Sequence, residues 1–148
     1  MDELDLRIRN HLYSSFVHDG IAQAPAQAAA ELALGEDEVA AAYRRLHDAH
    51  ALVLETGSTA IRMLNPFSAV PTPHRVEAAG RSWFANCAWD ALGIPGALYT
   101  DGRVESACAD CGEPLELEVD GGRLARGDDL LVHFVVPARR WWDDIGFT

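Results

Sequence analysis

The sequence predicts an α+β fold, and three features of the 148-residue chain carry that prediction. Apolar residues recur at helical spacing through the first fifty residues. They alternate with charged residues, at period two, around residues 115–119, and a proline-rich stretch separates the two regimes. The expected architecture is a winged-helix-like domain over 1–65, made of three helices plus a β-hairpin. A second domain over 66–148 is expected to hold a mostly antiparallel sheet with a packed helix.

Leu4, Ile8, Leu12 and Phe16 stand four apart and so fall on one side of a first helix, which Asp19-Gly20 ends. Pro25 suits a first helical turn, so a second helix is expected over 26–34, closing at Gly35, with alanines that demand close packing. The third begins near Glu36, where acidic residues oppose the positive end of the helix dipole, and continues to about His50. Val39, Tyr43 and Leu46 form its buried stripe. Leu52-Val53-Leu54, a turn at Gly57-Ser58 and a return strand over 60–64 complete the hairpin.

Asn65-Pro66 and Pro71-Thr72-Pro73 mark the boundary, because proline removes backbone donors and restricts its predecessor. Beyond it, 74–77 is a first strand. Ser82 is expected to cap a helix that runs to Leu92 and stops at Gly93, with Pro95 just past it. Residues 103–107 extend into a turn, Cys108-Ala109-Asp110-Cys111-Gly112. Leu115, Leu117 and Val119 alternate with Glu116 and Glu118, the signature of a strand with one wet face. Asp120-Gly121-Gly122 turns the chain into a short strand at 123–125, and the apolar run 130–136 is expected to be a central strand.

The net charge of −11 repels phosphate backbones and anionic membrane surfaces, so no nucleic acid partner is expected. The third helix sets four acidic residues against two arginines, the wrong sign for entering a groove, which argues against a metal-sensing DNA-binding regulator. A structural or dimer-forming role suits the first domain better, and a homodimer stays open. Three cysteines, an odd number, and the lack of a leader pattern point to free thiols in a cytoplasmic setting. No apolar run approaches the roughly 18 residues that span a bilayer.

Cys87 and Asp90, three apart on the expected helix, project from the same side. The carboxylate's charge should raise the thiol pKa, and either group can pass a proton to the other or to a substrate. The bland alternative is a buried cysteine acting as a small hydrophobe. Cys108 and Cys111 have the spacing of half a zinc knuckle, but a closed tetrahedral site needs two further ligands from Cys87, His74, His133 or a carboxylate. A reduced pair is the alternative. His133 in its apolar run is more commonly a hydrogen-bonded residue than a ligand. Trp83, Trp89, Trp141 and Trp142 read as core and interface anchors.

The segment Phe84-Ala85-Asn86-Cys87-Ala88-Trp89-Asp90-Ala91-Leu92-Gly93-Ile94-Pro95 resembles the core of the alkylmercury (organomercurial) lyases. The likeness continues through Gly112-Glu113-Pro114-Leu115, Phe134-Val135-Val136-Pro137 and Trp141-Trp142-Asp143-Asp144-Ile145, and more weakly through the front of the chain. It implies an alkylmercury-lyase-like second domain in which Cys87 is the first catalytic thiol and Asp90 the carboxylate. Cys108 would match a cysteine usually regarded as structural. The family's second catalytic cysteine is expected just after the W-W-D-D-I-x-F-T segment; Cys111 is the residue in hand that could substitute.

The implied reaction is thiolate-assisted protonolysis of a carbon–mercury bond, giving a hydrocarbon and mercuric ion. Mercury is a soft ion that prefers thiolate sulfur. The resemblance calls for no organic cofactor and leaves mercuric ion as the bound product, with zinc possible at the C-x-x-C turn. It names as partners a small organometal substrate and thiols or a mercury-accepting protein. The metal-binding candidates are Cys87, Asp90, Cys108 and Cys111. The alternative is a non-catalytic, thiol-based zinc- or mercury-binding member of the family.

Overall fold

A computed structural model describes residues 1–145. Helix α1 (Glu3–Asp19) opens on a capping box. Asp2 accepts the Asp5 N–H at 2.8 Å while the Asp5 carboxylate accepts the Asp2 N–H at 3.3 Å. Its stripe of Ile8, Leu12 and Phe16 is buried against α2 (Pro25–Leu32) and α3 (Glu36–Asp48), both ending about two residues sooner than the sequence suggests. Val39, Ala42, Tyr43 and Leu46 are fully buried on α3. Asp5 is buried as well, and Arg45 donates to it from Nη2 at 2.6 Å. That hydrogen bond from Arg45 holds the Asp5 carboxyl below its ordinary range.

Among the described residues eight antiparallel strands follow: β1 (Val53–Leu54), β2 (Ile61–Leu64), β3 (Phe67–Ser68), β4 (Arg75–Ala78), β5 (Arg81–Ala85), β6 (Gly102–Ala107), β7 (Pro114–Asp120) and β8 (Arg123–Arg126). Their spatial order is β1-β2-β3-β5-β4-β6-β7-β8. The short strand β3 pairs with β2 on one side and β5 on the other, so the hairpin of the helical part continues into the larger sheet. The expected domain boundary falls at Asn65-Pro66, a cis peptide between β2 and β3. Phe67 meets Phe16 of α1 and Trp83 of β5, each with ring centroids 5.8 Å apart, and joins helices and sheet in one apolar core.

Two expectations are corrected. Residues 82–92 are not one helix. Arg81–Ala85 is β5, and helix α4 (Ala88–Leu98) starts at Cys87 and runs through both Gly93 and Pro95. Ala79 and Gly80 both have positive φ, the geometry of a tight hairpin turn, and this turn pairs Val76 with Trp83 and Ala78 with Arg81. Strand pairing of the β-prone Trp83 and Phe84 therefore overrides the capping potential of Ser82. Pro95 is buried where α4 crosses β6. A Cβ at Gly102 would lie 2.7 Å from Pro95 Cγ, so only glycine allows this approach.

The run 130–136 is likewise not a central strand. The neighbouring edge strand, β8, is exposed at all four of its residues, so a strand added beside it would lack a covering layer. The run instead lies across the surface, with Leu131 95% exposed. Phe134 packs on Trp89 of α4 and on Trp141, which lies in a 3-10 turn at Ala138–Asp143. Trp142 stacks on His50 with centroids 3.8 Å apart. The end of the W-W-D-D-I-x-F-T segment, Phe147 and Thr148, lies outside the described residues.

Candidate active site at the start of helix α4

Because α4 begins later than expected, Cys87 is its N-cap residue, in extended backbone geometry, and Asp90 lies in its first turn. These are the two positions a capping box couples, so the thiol and the carboxyl remain neighbours, now at the positive end of the helix dipole. The Cys87 carbonyl accepts the Ala91 N–H at 2.9 Å, fixing the residue against the helix. Its thiol is half-buried. Burial pushes the thiol pKa up and the Asp90 charge adds to this, while the N–H groups of Asp90 and Trp89 work the other way without closing a capping hydrogen bond. Burial also pushes the Asp90 carboxyl up, opposed by a hydrogen bond from Asn86. Two acidic groups are thus held side by side with their protonated forms favoured.

Asn86 sits at the centre of the supporting network. Its amide nitrogen donates to Asp90 Oδ2 at 3.0 Å and to Asn65 Oδ1 at 3.0 Å, which uses both of its protons. Its oxygen is buried without a hydrogen-bond partner among the described residues. The Asn65 carbonyl in turn accepts from the Tyr13 hydroxyl at 3.1 Å, shared with the Ala51 carbonyl at 3.1 Å. The Tyr13 pKa is raised, first by burial and in smaller part by the Asp90 charge. A chain of contacts therefore runs from α1 through the cis peptide to the carboxyl. Sequence reasoning missed Tyr13, Asn65 and Asn86 as parts of this site. The signal for Asn86 is its place directly before Cys87; in the sequence Asn65 marks only a boundary.

Cys108 and Cys111 occupy the connection between β6 and β7. The Cys108 N–H donates to the Glu113 carbonyl at 2.9 Å, and the Gly112 N–H to the Cys108 carbonyl at 2.9 Å. Gly112 takes a positive φ of 74° to close the turn. The Cys108 sulfur receives the N–H groups of Cys111 and Asp110 and the Cys111 thiol, which together draw its pKa down. Cys111 is exposed. Among the described residues no three or more His, Cys, Asp or Glu side chains gather closely enough to hold a metal ion. Cys87, Cys108 and Cys111 therefore do not form one cluster, and the turn offers two of the four donors a tetrahedral zinc ion takes.

The histidines lie elsewhere. His133 is exposed, and His74 shares a 2.8 Å hydrogen bond with Ser106, its pKa lowered by burial. Among the described residues no helix is long and apolar enough to cross a membrane.

Comparison with known proteins bears on the family and the fold. A family model for alkylmercury lyase matches residues 67–148, which hold β3 onward and all three cysteines. The alkylmercury lyase of Bacillus cereus is 37% identical over 51 residues, covering 34% of this chain and 23% of that protein. That of Staphylococcus epidermidis is 36% identical over 55 residues, 37% of this chain and 26% of that protein. The matched stretch thus spans about a quarter of those relatives. A crystal structure of the mercury-bound form of MerB2 superimposes with a TM-score of 0.67 at 27% identity, over 85% of this chain and 60% of that one. That share is too large for residues 67–148 alone, so the likeness reaches into the helical part. The matched family model covers more than half of the chain, and on that ground the chain belongs to the alkylmercury lyase family.

Proposed function

We propose that the chain cleaves carbon–mercury bonds by protonolysis, with Cys87 as the mercury-binding thiol and Asp90 as the proton carrier. The observation that carries this reading is the pairing at the start of α4. A half-buried thiol and a carboxyl stand at neighbouring cap positions, each with its proton more tightly held than usual. As sulfur bonds to mercury, the thiol proton passes to the Asp90 carboxylate. A second thiolate, from a cysteine or a small-molecule thiol, adds to the metal and makes the bound carbon more basic. The carbon–mercury electron pair then takes the proton from Asp90. A hydrocarbon leaves, mercuric ion stays on thiolate sulfur, and the carboxylate is restored. Asn86 keeps Asp90 turned towards this work, and the helical part supports Asn86 through Tyr13 and Asn65.

The substrate in this reading is a small organomercurial, and the ion's acceptor a thiol or a thiol-bearing protein. The test is headspace detection of hydrocarbon from an organomercurial in excess thiol. Release is expected from the unaltered chain and absent from Cys87→Ser and Asp90→Asn. Release that survives Cys87→Ser, or none from the unaltered chain, overturns it. The second reading, a thiol-based metal-binding protein without catalysis, draws on the partly exposed Cys108-Cys111 turn. Retention of metal without any hydrocarbon release would favour it.

A further inference from the structure

We propose that Cys108 and Cys111 form a second binding site, a two-coordinate dithiolate for a soft cation of the mercuric class, distinct from the centre at Cys87. The proposal goes beyond the lyase reading and depends on it only for the source of the ion inside the protein.

The geometry of the turn is the first argument. The Cys108 N–H donates to the Glu113 carbonyl and the Gly112 N–H to the Cys108 carbonyl, each at 2.9 Å, which closes a tight loop carrying both cysteines three residues apart. Gly112, at φ 74°, lets the chain leave the loop without moving either thiol. Access is the second argument. Cys111 is exposed, whereas Cys87 and Cys108 are both half-buried.

Coordination chemistry then selects the ion. Zinc takes four donors in a closed site, and no third His, Cys, Asp or Glu joins the pair among the described residues. A soft ion that binds thiolates in preference to oxygen or nitrogen is satisfied by the two sulfurs. Binding replaces two S–H bonds by two S–Hg bonds and releases two protons.

The test uses the full chain carrying Cys87→Ser, which leaves Cys108 and Cys111 as its thiols. Mercuric chloride is titrated in the presence of excess glutathione, with ultraviolet sulfur-to-mercury absorption and native mass spectrometry as readouts. One mercuric ion per chain, taken from its glutathione complex with the return of two glutathione thiols, is expected. The Cys87→Ser/Cys111→Ser double variant, altered on an exposed turn, should hold the ion about 100-fold more weakly, because the second sulfur no longer binds intramolecularly. Equal retention without Cys111 overturns the proposal. So does one ion shared between two chains, or one zinc ion per chain retained under the same conditions. Hydrocarbon release by the unaltered chain is scored separately, so the lyase reading and this site can fail independently.

Discussion

Cys87 and Cys108 are the same side chain 21 positions apart, and the fold treats them in opposite ways. At Cys87 the chain leaves a strand and enters a helix; burial and the neighbouring Asp90 keep the proton on sulfur. At Cys108 a tight turn turns backbone N–H groups towards the sulfur, and its proton is held less tightly than usual. The difference comes from backbone direction: a thiol half-buried beside an acid holds its proton more tightly, whereas a thiol facing N–H donors gives it up more readily.

The sharpest way to break this comparison is thiol alkylation at neutral pH. Cys108 should react with iodoacetamide several-fold faster than Cys87, since the thiolate is the nucleophile and the thiol pKa is raised at Cys87 and lowered at Cys108. Peptide mapping over time reads the two sites separately, and equal rates would mean that their environments do not differ as described. Asp90→Asn should speed labelling of Cys87, because it removes a charge that raises the thiol pKa, and leave Cys108 unchanged.

Asn86 sharpens the contrast from the side of the carboxyl. Asn86→Leu removes the donor to Asp90 and the link to Asn65. Hydrocarbon release should fall about 10-fold or more, as for other groups that orient a reacting side chain. The Asp90 pKa should climb further, since the Asn86 hydrogen bond is what restrains it. The pH at which Asp90 loses its proton therefore moves up, and a pH–rate profile with an unmoved limb would remove Asn86 from the site.

Asp90 itself should be costly to the fold. Its carboxyl is raised by burial, so the unfolded chain ionises first, and stability falls as pH climbs from the ordinary aspartate pKa of about 3.9 through the folded value. Above that window the cost persists. Asp90→Asn should therefore melt higher than the unaltered chain at pH 7, and the advantage should vanish below about pH 4. A variant that melts lower at neutral pH would show that the carboxylate is well satisfied where it sits.

The periodic parts of the fold were legible because their residues face a single core. Ile8, Leu12 and Phe16, or Val39, Tyr43 and Leu46, are buried at the spacing that announced them. The alternating Leu117 and Val119 likewise mark β7. The misreadings arose where a local signal competed with a partner far along the chain. Ser82 looks like a cap until Val76 pairs with Trp83, and the run 130–136 looks buried until the exposed β8 is the strand beside it. That Cys87 and Asp90 lie close together could be read from spacing, because three residues apart means neighbours in a helix and at its cap alike; a role for the pair comes only from the resemblance. Tyr13, Asn65 and Asn86 could not be placed by spacing, since what joins them is tertiary contact across the cis peptide.

The smallest effect tests whether the surface run 130–136 belongs with the site. Trp89, next to Asp90, meets Phe134 edge-on, Phe134 meets Trp141, and Trp142 lies flat on His50 at 3.8 Å with an interplanar angle of 3°. These contacts tie the tail of the chain to α4 at one end and to the residues just after α3 at the other. Stacked aromatic pairs contribute about 0.5–1.5 kcal/mol beyond the area they bury, and the partial exposure of this pair places it near the lower bound. His50→Ala should therefore lower the melting temperature only slightly, because His50 makes none of the core contacts of α3. Its effect should be local: amide exchange should quicken from Ala138 to Asp143 while the protection of α1 and β4 stays as it was. The positive φ of 60° at His50 costs alanine at least as much as histidine, so His50→Gly is the companion variant, relieving the backbone while still removing the ring. Faster exchange in both variants would assign the change to the lost stack. Faster exchange in His50→Ala alone would assign it to the backbone, and the tail would then be held by the Trp89–Phe134–Trp141 contacts without His50.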